Sequence, residues 1–127
     1  MAPISVTLAR RDPPAAVVAL VGEHDAYSSQ RLENELAVLL EAKQRVVVDL
    51  RDATFIDSTT LSVLLSARHR AEKSSLGFAL VLQDRDFTQV HQILELTGLA
   101  PTFAVCANLE DALDAVRAGR VDAARAA

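Results

Sequence analysis

Residues 46–67 read VVVDLRDATFIDSTTLSVLLSA, and their pattern decides the fold. The first part, 46–50, is short and rich in β-branched side chains, which predicts a buried strand. The apolar residues 55–56 anchor a short loop, and residues 57–60 all carry side-chain oxygens suited to the first turn of a helix. Apolar side chains then recur at helical spacing, at Leu61, Leu64 and Leu65. A buried strand followed by a loop and a helix is typical of α/β domains.

The same alternation extends to both sides of this stretch. Apolar runs and alternating patterns predict strands at 4–8, 16–21, 45–50, 76–82 and 102–106. Amphipathic stripes and capping residues predict helices at 28–43, 57–71, 88–97 and 108–119. Pro13 and Pro14 break the chain between the first two strands, which therefore form a hairpin.

These elements predict one α/β domain with the order β-β-α-β-α-β-α-β-α. The mixed sheet has four or five strands, is largely parallel and carries about four helices joined by right-handed crossovers. Val47 and Leu64 are expected to be buried between the sheet and a helix. The domain is expected to span residues 1–120, and a flexible C-terminal tail is expected at 121–127.

Bulk composition narrows the class of function. The chain has 127 residues and a net charge of −4, and its Lys and Arg residues are scattered among acids. Nucleic-acid binding needs a denser basic surface, so no nucleic-acid partner is expected. No apolar run approaches the roughly 20 residues that span a bilayer. We therefore expect a cytoplasmic protein without membrane insertion.

The sequence contains no recognisable catalytic or cofactor motif. Its three histidines are far apart, and four glycines in all are too few for a glycine-rich phosphate loop. His24, Asp25 and Ser28 lie close together, but a surface loop at the end of a strand explains them more simply than a catalytic site. Cys106 lies in an apolar stretch and is interpreted as a small buried side chain. The prediction is a protein that is not an enzyme and has no metal or cofactor.

The central stretch resembles a known family. Asp49-Leu50, Phe55-Ile56-Asp57-Ser58, Leu61 and the apolar run 63–65 are similar to the central motif of STAS domains, which include the bacterial anti-sigma factor antagonists. The segment 22–25, Gly-Glu-His-Asp, resembles a second recurrent signal of that family at the end of the second strand. The order of elements also fits over nearly the whole chain.

The resemblance implies a regulatory switch. In the antagonists, the serine after the motif aspartate is phosphorylated by a partner that is both a serine kinase and an anti-sigma factor. The unphosphorylated form binds this partner and frees the sigma factor, and the phosphorylated form is released. Carried over by position, Ser58 is the acceptor, and the partner surface comprises Glu23, Asp25, Asp57, Ser58 and Thr59. The loop at 22–28 and the start of the second helix both follow strand ends, so they should lie at the same edge of the sheet.

Some alternatives remain open at this point. The family usually has glycine two residues after the acceptor, whereas this chain has Thr60, whose branched side chain prevents close backbone approach. Thr59 and Thr60 are alternative acceptors. A regulatory or ligand-binding STAS subunit of a transport complex, or a scaffold subunit of a larger signalling assembly, would share the fold. A homodimer is also left open.

Overall fold

The computed structural model describes residues 3–9, 13–83 and 88–123. The strands are β1 (Ile4–Ala9), β2 (Ala15–Leu20), β3 (Gly22–His24), β4 (Arg45–Asp49), β5 (Ala53–Ile56), β6 (Phe78–Val81) and β7 (Ala104–Cys106). The helices are α1 (Ala26–Glu41), α2 (Ser58–Lys73), α3 (Gln89–Leu96) and α4 (Leu109–Arg117), with a short 3₁₀ turn at Ala100–Thr102.

The main sheet has five strands in the order β1-β2-β4-β6-β7. β1 pairs antiparallel with β2, and every other neighbouring pair is parallel. This confirms the predicted mixed sheet, its opening hairpin and its four helices. Parallel neighbours joined through helices place the ends of β2 and β4 at one edge of the sheet, which is where the candidate site lies.

Two short strands were not predicted. β3 and β5 pair in parallel to form a separate two-stranded ribbon beyond the main sheet. The sequence pattern predicts a loop at residues 51–56, and that prediction is wrong for β5. Strands of three and four residues are too short to show a period. Their pairing joins two segments that are distant in the chain, so no local sequence pattern indicates it.

Two apolar layers cover the two faces of the main sheet. Leu64 of α2 is completely buried in the larger layer with α1, and Val47 of β4 is completely buried in the smaller layer with α4. Both were predicted to be buried between sheet and helix, and the structure confirms this on opposite faces. A side chain at Gly77 would collide with the backbone of Val116, so glycine lets α4 lie directly on the start of β6.

Several predicted ends move by a few residues. α1 begins at its N-cap Asp25, rather than near Ser28, and it ends before Lys43, whose φ of 61° is left-handed. At the C-terminus, the domain continues beyond Arg120. Val121 is buried, and its carbonyl accepts the backbone N–H of Ala104 at 3.2 Å. Residues 124–127 of the expected tail lie outside the described residues.

Candidate functional site

Two helix N-termini meet at the edge of the sheet. The parallel pairing of β3 with β5 sets His24 beside Ile56, so the residues that follow, Asp25 and Asp57, begin α1 and α2 side by side. The backbone N–H of Asp57 donates to the carbonyl of His24 at 3.2 Å. The two loops that were predicted to share one edge are therefore joined by a direct hydrogen bond.

Asp25 caps α1. Its carboxylate accepts the backbone N–H of Tyr27 at 3.0 Å, and its own N–H donates to the hydroxyl of Ser28 at 3.2 Å. This reciprocal arrangement is a capping box, which satisfies donors that a helix start leaves free. The Asp25 residue is exposed, so the carboxylate that caps the helix also faces outward.

The side chain of His24 packs beneath the start of α1. The side chain is completely buried, with Nε2 at 3.0 Å from the carbonyl of Val21 and Nδ1 at 3.1 Å from the Ser28 hydroxyl. Because a carbonyl can only accept, Nε2 carries a proton and donates it to the Val21 carbonyl. The Ser28 hydroxyl lies between Nδ1 of the neutral ring and the Asp25 carbonyl, which is 3.2 Å away, and its single hydrogen can serve either acceptor. Burial lowers the pKa of His24, against the opposing influence of the Val21 carbonyl and Asp25. The predicted surface loop is therefore wrong for His24 and Ser28, which are buried structural side chains.

Asp57 caps α2 with its side chain. Its Oδ1 accepts the backbone N–H of Thr60 at 2.9 Å and the hydroxyl of Thr59 at 2.7 Å. Desolvation opposes ionisation of this carboxyl, but the hydrogen bonds from Thr59 and Thr60 outweigh it and hold the pKa of Asp57 below its ordinary value. Asp57 is therefore a fixed negative charge beside the start of α2.

The three candidate hydroxyl acceptors differ in accessibility. Ser58 is exposed, and within the described residues its side chain has no hydrogen-bond partner. Thr59 is exposed too, but its hydroxyl is held by Asp57. Thr60 is completely buried and donates to the His24 carbonyl at 3.2 Å. Thr60 thus fits the position of the usual glycine by turning inward, and it leaves Ser58 unobstructed.

Ser58 opens onto a groove between α1 and α2. The depression has a volume of about 320 Å³, and its wall combines hydroxyl groups with a carboxylate, from Ser29, Glu33, Ser58, Thr59, Ser62 and Ser66. Glu23 is exposed on β3 in register with Phe55 of β5. Together with Asp25 and Asp57, this makes the exposed face around Ser58 acidic.

Three residues of this region were missed by the sequence analysis. Tyr27 is 89% exposed beside Asp25, and Phe55 is 38% exposed beside Glu23. Exposed aromatic side chains are frequent anchors in protein interfaces, but the exposure of these two cannot be read from the sequence. Gln89 of α3 donates to the carbonyl of Ile56 and accepts its N–H, both at 2.8 Å, and so closes the free edge of β5.

The motif residue Asp49 has a structural role at the end of β4. Arg51 holds its carboxylate through Nε at 2.9 Å and Nη2 at 2.8 Å, a bidentate pair that shapes the turn towards β5. Desolvation raises the pKa of Asp49, but the hydrogen bonds and charge of Arg51 outweigh it and leave the pKa below its ordinary value.

Metal sites, membrane spans and the single cysteine were considered as further functional features. Among the residues that the structure describes, no group of three or more His, Cys, Asp or Glu side chains could hold a metal ion. Within the same ranges, no helix is long and apolar enough to cross a membrane. Cys106 is partly exposed rather than buried as expected, and desolvation raises the pKa of its thiol, with Asp111 adding to this effect.

The fold and the paired helix starts define the class of the protein. The model of the STAS domain family matches residues 7–112, and the chain belongs to that family.

Its relatives include regulators of bacterial sigma factors. The anti-sigma-F factor antagonist RsfB of Mycobacterium tuberculosis is 30% identical over 123 residues, which cover 95% of this chain and 98% of the relative. The anti-sigma-B factor antagonist of Listeria monocytogenes is 30% identical over 100 residues, covering 76% of this chain and 83% of the relative. A crystal structure of an anti-sigma factor antagonist from Mycobacterium paratuberculosis matches with a TM-score of 0.75 at 28% identity, covering 91% of this chain and 95% of that one.

Proposed function

We propose that this protein is an anti-sigma factor antagonist that acts by partner switching in the bacterial cytoplasm. When Ser58 is unphosphorylated, the protein binds an anti-sigma factor with serine kinase activity and thereby frees the sigma factor. When Ser58 is phosphorylated, the protein is released. The observation that carries this proposal is the exposed, unbonded hydroxyl of Ser58 at the start of α2, beside the Asp25 loop. The antagonist relatives supply the class of partner.

The position of Ser58 suits a phosphate that changes binding without unfolding the chain. A phosphoserine carries a charge of about −1.5 to −2 at neutral pH. As the first residue of α2, Ser58 adjoins the exposed amides and positive dipole end of the helix, which favour negative charge. The groove at Ser58 is open, so the phosphate has room in the free protein.

The same phosphate would weaken a docked complex. Asp57 lies next door, and two unit charges about 4 Å apart repel by about 1 kcal/mol in water and about 4 kcal/mol at a partly desolvated surface. The added bulk would also separate the partner from the groove between α1 and α2.

Affinity purification from the native cell tests the proposal. Wild-type protein and the Ser58→Asp variant serve as parallel baits. An ATP-binding serine kinase enriched on the wild type and depleted on Ser58→Asp supports partner switching. Recovery of a membrane transporter would instead favour the transport-subunit alternative, and a stable high-mass complex without a kinase would favour the scaffold alternative.

A further inference from the structure

In the part of the chain that the structure describes, the outer edge of β1 is open, since β1 is the first strand of the main sheet and pairs only with β2. The N–H of Val21 donates to the carbonyl of Pro3 at 3.2 Å, and antiparallel pairing alternates from there. The backbone polar groups of Ile4, Val6 and Leu8 therefore point away from β2. Arg31 reaches the Ile4 carbonyl at 3.5 Å. Within the described ranges, the outward groups of Val6 and Leu8 have no partner.

This edge lacks the features that protect edge strands. Natural proteins cover an edge with charges, prolines, bulges or very short strands. β1 has six residues, Ile-Ser-Val-Thr-Leu-Ala, and none is charged or proline. The opposite edge strand, β7, has only three residues. Leu8 is 57% exposed, so the unprotected edge of β1 also presents apolar surface.

α1 extends this apolar surface. Arg31 reaches the start of β1, and Val38 lies two turns further on the same helix face. Seven helical residues rise about 10 Å, which is the length of about three strand residues. α1 runs in the same direction as β1, since both leave the end of the sheet where Ile4 pairs with Leu20. Val38 is 63% exposed, and this rise brings it to about the level of the middle of β1.

We propose that two copies of this chain pair through β1 in antiparallel orientation, about a two-fold axis at Val6. The strand alternates apolar and hydroxyl side chains, and residues 4–8 follow the same alternation in both directions from Val6. Ile4 of one copy then lies opposite Leu8 of the second, on the α1 face, and Ser5 lies opposite Thr7 on the other face. The outward N–H and C=O groups of Val6 satisfy each other across the axis.

The side chains of β1 favour a second copy of this chain as the partner that binds its open edge. The uncharged edge of β1 has no side chain that would select a charged peptide. Its alternation of apolar and hydroxyl side chains matches that of a second, antiparallel β1. One short strand pair with one helix flank is smaller than a standard interface of about 1,200–2,000 Å². The dimer is therefore weak and depends on concentration. Ser58 opens on the other flank of α1, towards α2, so both copies keep that groove free. The dimer does not depend on the proposed function.

Sedimentation velocity of the full chain over a range of concentrations tests the pairing. The wild type should shift from monomer to dimer as concentration rises. Val6→Pro removes an outward N–H without touching the β2 ladder, and Val6→Lys adds a charge at the axis. Both should remain monomeric with an unchanged circular dichroism spectrum. Leu96→Lys changes an 88% exposed leucine on α3 and should dimerise like the wild type.

A wild type that stays monomeric throughout, or Val6 variants that dimerise as the wild type does, would overturn the proposal. Disulfide trapping tests the register. In a Cys106→Ser background, the Ser5→Cys/Thr7→Cys double variant places cysteines opposite each other with Cβ atoms about 4.5–5.5 Å apart. Mild oxidation should give a covalent dimer. In a dimer of either single variant, the two cysteines would lie on a diagonal with about 7–8 Å between them. Neither single variant should therefore form a covalent dimer. No covalent dimer from the double variant would refute this pairing.

Discussion

The hydroxyl of Thr60 donates a hydrogen bond to the main-chain carbonyl of His24 at 3.2 Å. That carbonyl also accepts the N–H of Asp57. One oxygen before α1 thus binds two groups at the start of α2. The distance between the Asp25 loop and Ser58 is set by this pair of bonds, and Thr60 takes part in it because its branched side chain points into the protein.

Replacing Thr60 by valine keeps the shape of the side chain and removes this hydrogen bond. We expect the free energy of unfolding to fall by about 0.5–1.5 kcal/mol, the usual net contribution of one hydrogen bond. Urea denaturation measures it. Ser62→Ala, at an exposed position two residues further along α2, should change it by less than about 0.5 kcal/mol. Equal stability of Thr60→Val and wild type would show that the bond does not hold the two loops together.

Leu64 tests the larger apolar layer. Leu64→Ala should lower the free energy of unfolding by about 2–5 kcal/mol, because the side chain is completely buried between α2 and the sheet. The matched control is Leu96→Ala, since Leu96 is largely exposed. A thermal melt in which Leu64→Ala and Leu96→Ala unfold at the same temperature would contradict this packing.

The buried side chain of His24 should make the free energy of unfolding depend on pH. Burial lowers its pKa below the ordinary 6.5, so the unfolded chain binds a proton more readily than the folded one. As pH falls through 6.5 towards the folded pKa, this difference favours unfolding. The His24 contribution should therefore be fully present at about pH 8 and partly lost at about pH 5.5.

Glutamine has no titratable group, so His24→Gln should lose less stability than the wild type between about pH 8 and about pH 5.5. Denaturant titrations at both values measure the difference. His69 on α2 is exposed, and His69→Gln should retain the wild-type dependence. A wild-type pH dependence that persists in His24→Gln would assign it to another group.

The partner face can be tested at Asp25 without losing the helix cap. Asp25→Asn removes the charge, while its amide oxygen can still accept the N–H of Tyr27. We expect weaker binding to the purified anti-sigma factor and nearly unchanged stability. Asp25→Arg removes the cap as well and should also lower stability, by about 0.5–2 kcal/mol. Asp114→Asn, on α4, is the charge-matched control. If Asp25→Asn binds as tightly as Asp114→Asn, the interface lies elsewhere.

The sequence predicts the long elements because each shows a regular period over several turns or a full strand. It also brings Asp25 and Asp57 to one edge, since both follow neighbouring parallel strands. It misses β3 and β5, whose pairing joins distant segments, and it misplaces the cap of α1 because Ser28 and Asp25 are both suitable capping residues. The burial of His24 depends on partners in the folded chain, the Val21 carbonyl and Ser28, and the sequence interpretation as a surface loop missed it.

We propose that phosphate on Ser58 releases the partner. Incubation with the cognate kinase and ATP, followed by mass spectrometry, should place one phosphate on Ser58 and none on buried Thr60. Ser58→Ala should accept no phosphate and bind constitutively. Phosphate on Thr59 instead would move the switch by one residue along α2.

The most direct measurement is a calorimetric titration of the anti-sigma factor with four forms of this protein: unphosphorylated wild type, phosphorylated wild type, Ser58→Asp and Ala107→Asp. Ala107 is exposed before α4, so its variant adds the same charge near a different helix start. We predict tight binding by the unphosphorylated wild type and Ala107→Asp, weak binding by Ser58→Asp, and the weakest by the phosphorylated protein, with all four folded. Equal affinity of the phosphorylated and unphosphorylated forms would contradict the switch.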